Sequence, residues 1–386
     1  MSAVQPKLDW VQSLRGIAVL LVVLTHARYV FLDTPTWPLA NELLYAGASG
    51  VDLFFIISGF IMVYTTQRSD GSPAYALEFL IKRVARIWPV YAVATLAWLL
   101  VAFEGFGFFR QPLALRTLAL SLAFQPVDLN APLFFGMALP LGWTLNFEMY
   151  FYVTFAISLL FRRFRWVVLA GWILATVIAI PMLKRGLTFD VLTNFRFSLS
   201  YLNLITNPIV LEFLGGVAIA WCYMQPWFRL ASKALCMHLV FLAVCLFIWY
   251  AYGGIGNFHG PTRWGWPLAL VVLSLALASK TIDIAPPAWL VWLGTISYSL
   301  YLTHTTVQLI VGWGVEWAGG SKHTWTYVLL STAIAISVAA LAHRFLEEKL
   351  SHAVRGIMLR IFRRYLKQHE RASHVQAASA RSGTGS

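Results

Sequence analysis

Residues 13–32 read SLRGIAVLLVVLTHARYVFL. Apart from Arg15, His26 and Arg28 the run is almost wholly apolar, and about 20 mostly apolar residues are enough to cross a bilayer as one helix. Working outward, similar runs lie near residues 47–66, 87–106, 143–161, 165–183, 206–224, 234–252, 265–280, 289–312 and 325–345. The run at 265–280 is short, and 116–124 reads as a weaker interfacial segment. The first run is expected to stay as the first helix, because no small-residue cleavage site follows it. The expectation is an all-α, polytopic integral membrane helix bundle with about ten transmembrane helices.

Composition agrees. Hydrophobic residues make up 59% of the 386-residue chain and charged residues 12%. A soluble surface of this size cannot be covered by so few charges, whereas a lipid-facing one needs no such cover. The net charge of +13 sits in short clusters between apolar runs rather than on one basic face, which argues against a nucleic-acid partner. Cys222, Cys236 and Cys245 lie in or beside apolar runs at no metal-ligand spacing and read as reduced core thiols, so no metal site is expected.

Charge asymmetry orients the bundle. One set of loops carries Lys7, Arg68, Lys82, Arg83, Arg86, Arg162, Arg163, Arg165, Arg229, Lys233 and Lys280, continued by the basic tail after Ser351. The opposite set carries Arg110, Arg116, Lys184, Arg185, Arg196, Arg263 and Lys322. The positive-inside rule then places both termini in the cytoplasm. Residues 1–350 form the expected membrane domain. Residues 351–386 form a cytoplasmic tail, first basic and amphipathic (RGIMLRIFRRYLKQHERA), then disordered (AASARSGTGS).

Charged groups inside a bilayer cost about 2.5–3.5 kcal/mol each on insertion scales, so each is a candidate for function. Arg15 and His26 are eleven positions apart, which is about three helical turns and roughly 16 Å of rise along one stripe. Arg15 falls near the cytoplasmic surface and His26 in the outer half. Read blandly, they are an anchor and a packing histidine. Read together, they let an anion held at Arg15 extend an arm to His26. Asp52, in GASGVDLFFIISGFIMVYTT, lies at a depth similar to His26, as an orienting carboxylate or a helix cap. Glu148 in GWTLNFEMYFYVTF shares a face with Phe151 and Tyr152, and His304 in SYSLYLTHTTV reaches the same outer half. Four helices thus bring ionisable groups to one depth, which points to a site inside the bundle. In FLIKRVARIWPVY, the loop before the third helix, Lys82, Arg83 and Arg86 form a cationic cluster suited to a phosphate-rich ligand or simply to positive-inside topology. Glu212, His238 and His343 read as structural.

The pieces QSLRGIAVLLVVLTH, GVDLFFIISGF, FLIKRVARIWPVY, WTLNFEMYFY, LEFLGGVAIA and LGTISYSLYLTH, in this order across residues 10–345, resemble the membrane acyltransferase-3 family, especially its exopolysaccharide-modifying branch. The resemblance implies O-acyl transfer, usually of acetyl from acetyl-CoA, to a hydroxyl of an exopolysaccharide, an O-antigen or a lipid-linked sugar. Acyl-CoA would be a donor substrate, with no permanently bound cofactor. The setting would be the bacterial plasma (inner) membrane. It carries over roles for Arg15, His26, Arg83, Arg86, Glu148 and Tyr152, and more loosely for Asp52, Ser58 and His304. In this reading Arg15, Lys82, Arg83 and Arg86 hold the CoA phosphates. His26 is general base or acyl carrier, with Asp52 or Glu148 orienting it. The rival class is a transporter or export component for a glycan or small anion without acyl chemistry, which intramembrane charges fit equally well; yet the paired halves and broken-helix repeats of many transporters are not evident.

Overall fold

The computed structural model describes residues 8–184 and 186–382, with 369–382 as backbone only. Lys7, Arg185 and the last residues of the tail, used in the charge and disorder arguments, lie outside it. Among the described residues the chain is helical and contains no strand. In chain order the helices are α1 (Asp9–Ala27), α2 (Trp37–Leu44), α3 (Gly50–Thr65), α4 (Pro73–Ala102), α5 (Ala114–Leu122), α6 (Trp143–Leu159), α7 (Arg165–Leu174), α8 (Ile180–Lys184) and α9 (Ser200–Ile205). They are followed by α10 (Val210–Tyr223), α11 (Lys233–Tyr252), α12 (Trp266–Ala278), α13 (Ala288–Thr295), α14 (Ser297–Trp317), α15 (Trp325–Ala342) and α16 (Ser351–Ser382). A wide turn over Ala175–Ala179 joins α7 to α8, and another over His343–Leu350 joins α15 to α16.

Six described segments are long and apolar enough to cross a membrane: Asp9–Phe31, Trp37–Thr65, Pro73–Ala102, Arg162–Lys184, Lys233–Tyr252 and Trp325–Gln368. This is fewer than the ten expected, and the shortfall has a physical pattern. α6 has 17 residues, α10 has 14 and α12 has 13. The run expected at 289–312 breaks between α13 and α14 at Ile296, where the Ser297 hydroxyl donates to the Gly294 carbonyl at 2.8 Å. α14 is 21 residues long but carries Ser297, Ser299, Thr303, His304 and Gln308. A helix shielded from lipid by its neighbours need be neither uniformly apolar nor full length. α6, α10 and α14 are also the helices that carry Glu148, Glu212 and His304. By contrast, Met237, Phe241, Leu242, Ile248 and Trp249 of α11 are all exposed, as a lipid-facing helix requires.

α4 corrects another expectation. It starts at Pro73, behind a Ser72 cap whose hydroxyl accepts the Tyr75 N–H at 3.1 Å, the favoured helix opening. The basic cluster Lys82–Arg86 is therefore part of a long helix, not a loop. Of the cysteines, all free, only Cys236 is buried; Cys222 is half-buried and Cys245 exposed. The tail backbone is helical through Ser382, so the start of the stretch expected to be disordered lies within α16.

Two close crossings hold the bundle's centre. α1 meets α13 where a side chain on Gly16 would strike the Leu290 carbonyl and one on Gly294 would strike the Gln12 carbonyl. α3 meets α10 through Gly59 against Phe213 and Gly216 against Ile56, both at backbone contact. Small residues let membrane helices approach this closely. The crossings hold α1 and α3, which carry Arg15, His26, Asp52 and Ser58, at the middle of the packing.

Candidate active site

One end of the bundle opens as a polar mouth. Gln12 and Arg15 of α1, Lys82, Arg83 and Arg86 of α4, Thr295 between α13 and α14, His343, Glu347 and Glu348 after α15, and Arg355 of α16 line it. Glu347 braces it: its carboxylate accepts the Ser299 N–H at 3.1 Å and hydroxyl at 2.5 Å, at the N-terminus of α14, where the helix dipole favours an anion. His343, read from sequence as structural, faces Glu347 at 3.2 Å on this wall. Lys82 is paired with Glu78 one turn back, at 2.9 Å, and stays in the mouth.

Arg15, Arg83 and Arg86 reach further. The same three side chains line an inner cavity with Ser58, Glu148, Tyr152, Tyr298 and Tyr301. Tyr152, one turn after Glu148 on α6, donates its hydroxyl to that carboxylate, and the Ser58 hydroxyl reaches the same oxygen at 3.5 Å. The Arg83 guanidinium donates to Thr65 Oγ1 at 3.2 Å and lies over the Phe79 and Tyr152 rings at 5.3 and 5.6 Å. Tyr152 therefore ties the carboxylate to the arginine wall. A cavity with three guanidiniums and one carboxylate suits a ligand with several negative charges.

Beyond the cavity stand Val51 and Tyr301, which line it and also line an outer pocket holding His26, Arg28, Tyr45, Trp143, His259 and Trp264. The Tyr301 hydroxyl is held by the Leu141 carbonyl at 3.1 Å and by Thr144 at 2.9 Å. His26 Nδ1 lies 2.8 Å from the Val22 carbonyl. A carbonyl only accepts, so Nδ1 carries the proton and Nε2 keeps its lone pair. The fully buried His304 is built alike: Nδ1 is 3.1 Å from the Leu300 carbonyl, and Nε2 has no hydrogen-bond partner among the described residues. The two rings meet edge to face at 5.0 Å, so α1 and α14 bring two imidazoles together. Arg28, 5% exposed, is clamped by Thr25, by Asn41 at 3.2 Å and by the Tyr29 hydroxyl at 3.2 Å.

The layer expected from His26, Asp52, Glu148 and His304 divides, Glu148 joining the arginines in the inner cavity. Arg15, Arg83, Arg86, Glu148 and Tyr152 share the inner cavity; His26 and His304 lie beyond it. Neither carboxylate expected to orient His26 does so. Glu148 is held by Tyr152 and Ser58, and the Val22 carbonyl sets the His26 tautomer. Asp52, fully buried, accepts His259 Nδ1–H at 2.7 Å and the Gly260 N–H at 2.9 Å. Glu212 lies beside Asp52. His259 escaped the sequence reading because it sits in the aperiodic loop GNFHGPTRWG, where no helical spacing aligns it with anything. A lone histidine flanked by glycines between two apolar runs was its only signal.

Short buried helices around an arginine-lined cavity, with an imidazole-bearing pocket beyond it, fit a membrane group-transfer enzyme. A family profile described as an acyltransferase domain matches residues 8–344, and the chain belongs to that family, acyltransferase-3, whose members are integral membrane O-acyltransferases. It is similar to the exopolysaccharide production protein ExoZ of Rhizobium meliloti (strain 1021), 34% identical over 305 residues, 77% of this chain and 89% of that one. It is also similar to nodulation protein 10 of Rhizobium leguminosarum bv. viciae, 27% identical over 360 residues, 87% of this chain and 91% of that one. The peptidoglycan O-acetyltransferase OatA of Listeria monocytogenes is 24% identical over 369 residues, 87% of this chain and 54% of that one. No solved structure matches the chain.

Proposed function

We propose that this acyltransferase moves an acyl group, acetyl by preference, from acyl-CoA to a hydroxyl of an exopolysaccharide, O-antigen or lipid-linked sugar across a bacterial inner membrane. The mouth faces the cytoplasm and holds the CoA phosphates on Arg15, Arg83 and Arg86, with Lys82 on its rim. The pantetheine arm follows the cavity past Ser58, Glu148 and Tyr152. Its thioester arrives beside His26 and His304, where an acceptor hydroxyl enters from the opposite side. His26 acts through Nε2, as general base on that hydroxyl or as carrier of the acyl group; either role needs the lone pair that the Val22 contact preserves.

The observation that carries this reading is the sharing of side chains. Arg15, Arg83 and Arg86 line both the mouth and the cavity, and the cavity shares Val51 and Tyr301 with the His26 pocket. A transporter for a small anion needs no such imidazole pair. The test is incubation of purified protein with acetyl-CoA and acceptor glycan. CoA release matched by an acetyl mass on the glycan is the expected result. Glycan movement across vesicles without CoA release would overturn it.

A further inference from the structure

Two imidazoles line the outer pocket from different elements, and they are not equivalent. His26 rests on a neutral carbonyl. His259, 6% exposed, gives its Nδ1–H to Asp52 at 2.7 Å, and the second Asp52 oxygen is anchored by the Gly260 N–H at 2.9 Å. The ring stands edge-on to Trp143 at 5.6 Å and Trp264 at 5.3 Å, in dry surroundings that strengthen its bond to the carboxylate. No hydrogen bond engages His259 Nε2 among the described residues. A buried carboxylate behind an imidazole fixes the tautomer and stabilises the cation formed when the other nitrogen takes a proton. In this pocket that arrangement belongs to His259 alone.

We propose that His259, backed by Asp52, is the base that takes the acceptor hydroxyl's proton, and that His26 is the acyl carrier. The inference rests on the acyl-CoA reading above and decides between its two roles for His26. In the first step His26 Nε2 attacks the thioester carbonyl; a carbon–nitrogen bond forms, the carbon–sulfur bond breaks, and the CoA thiolate leaves into the arginine-lined cavity. In the second step the acceptor oxygen attacks the acyl carbon while its proton passes to His259 Nε2. The carbon–nitrogen bond breaks and His26 returns neutral. His259 then releases its proton to water, and the thiolate collects one in the mouth.

The test uses His259→Asn in the full-length protein, with Asp52→Asn beside it. The Asn amide donates to Asp52 from the Nδ1 position, so the tether to α3 is kept and only the base is lost. With acetyl-CoA labelled in the acetyl group, the variant is expected to release about one equivalent of CoA in a burst. Label should stay on the protein, and turnover on acceptor should fall at least about 100-fold, within the usual range for loss of a general base. His26→Ala should carry no label. Turnover of His259→Asn within about threefold of wild type would overturn the assignment, as would a folded, CoA-binding variant that gives no burst and no labelled protein. If the wild-type protein released no CoA at all, the acyl-CoA reading itself would fall and this inference with it.

Discussion

Arg83 and Arg86 stand one turn apart on α4 and line both the mouth and the cavity, so removing either should act on the donor before it acts on chemistry. A hydrogen bond to a charged group contributes about 1.5–3 kcal/mol, which corresponds to roughly a 10–100-fold rise in donor KM at about 1.4 kcal/mol per decade. Arg83→Ala and Arg86→Ala are expected to show that rise with kcat reduced less, read from initial rates against acetyl-CoA concentration. An unchanged KM would remove them from the donor site. Lys82→Ala, whose partner is Glu78, should change donor KM by no more than about fivefold, because exposed ion pairs contribute about 0–1 kcal/mol. Tyr152→Phe removes the hydroxyl that joins the ring beneath Arg83 to Glu148, and should raise donor KM as well.

At the scale of elements, the crossing of α3 and α10 sets where Ser58 and Asp52 sit. Adding one methyl at Gly216 brings it onto the Ile56 carbonyl, while Gly215 has nothing within 4 Å. Gly216→Ala should therefore destabilise the protein by about 1–3 kcal/mol, the usual cost of overpacking, and Gly215→Ala should leave it unchanged. Thermal unfolding in detergent checks the pair; equal midpoints would contradict the crossing. Much of this level was legible beforehand. The stripe joining Arg15 to His26 follows from helical geometry alone; α1 carries both, Arg15 lining the inner cavity and His26 the outer pocket. The break at Ile296 was not legible, because Gly294 looks like any helix glycine until the Gln12 backbone is placed against it. Glu347 was hidden the same way: a charged residue after an apolar run reads as a surface anchor until α14 presents its N-terminus. His259 was invisible because loops carry no period from which to infer facing.

For the whole molecule, the mouth gathers Arg15 of α1, Lys82, Arg83 and Arg86 of α4 and Arg355 of α16, so three of the basic segments meet at one end. In the proposed reading the positive-inside rule puts that end in the cytoplasm. Single cysteines introduced in a background without Cys222, Cys236 and Cys245 test this. Ser69→Cys, between α3 and α4, should react with an impermeant maleimide only in inside-out vesicles. Ser321→Cys, between α14 and α15, should react only in intact cells. The reverse pattern would place the donor mouth on the wrong side for a cytoplasmic thioester. The tally of long apolar helices, smaller than the number of hydrophobic runs, is tied in part to the site: α6 and α14, two of the helices that fall short, line the cavity with Glu148, Tyr152, Tyr298 and Tyr301, where polar side chains are shielded from lipid.

The most direct measurement compares His26→Ala with wild type in two assays on one preparation, CoA binding by calorimetry and acetyl transfer to glycan by mass spectrometry. The expected outcome is a CoA Kd within about twofold of wild type, with transfer reduced by at least about 100-fold. Transfer at the wild-type rate would show that the imidazole at the end of the arginine-lined cavity is not where the acyl group changes hands.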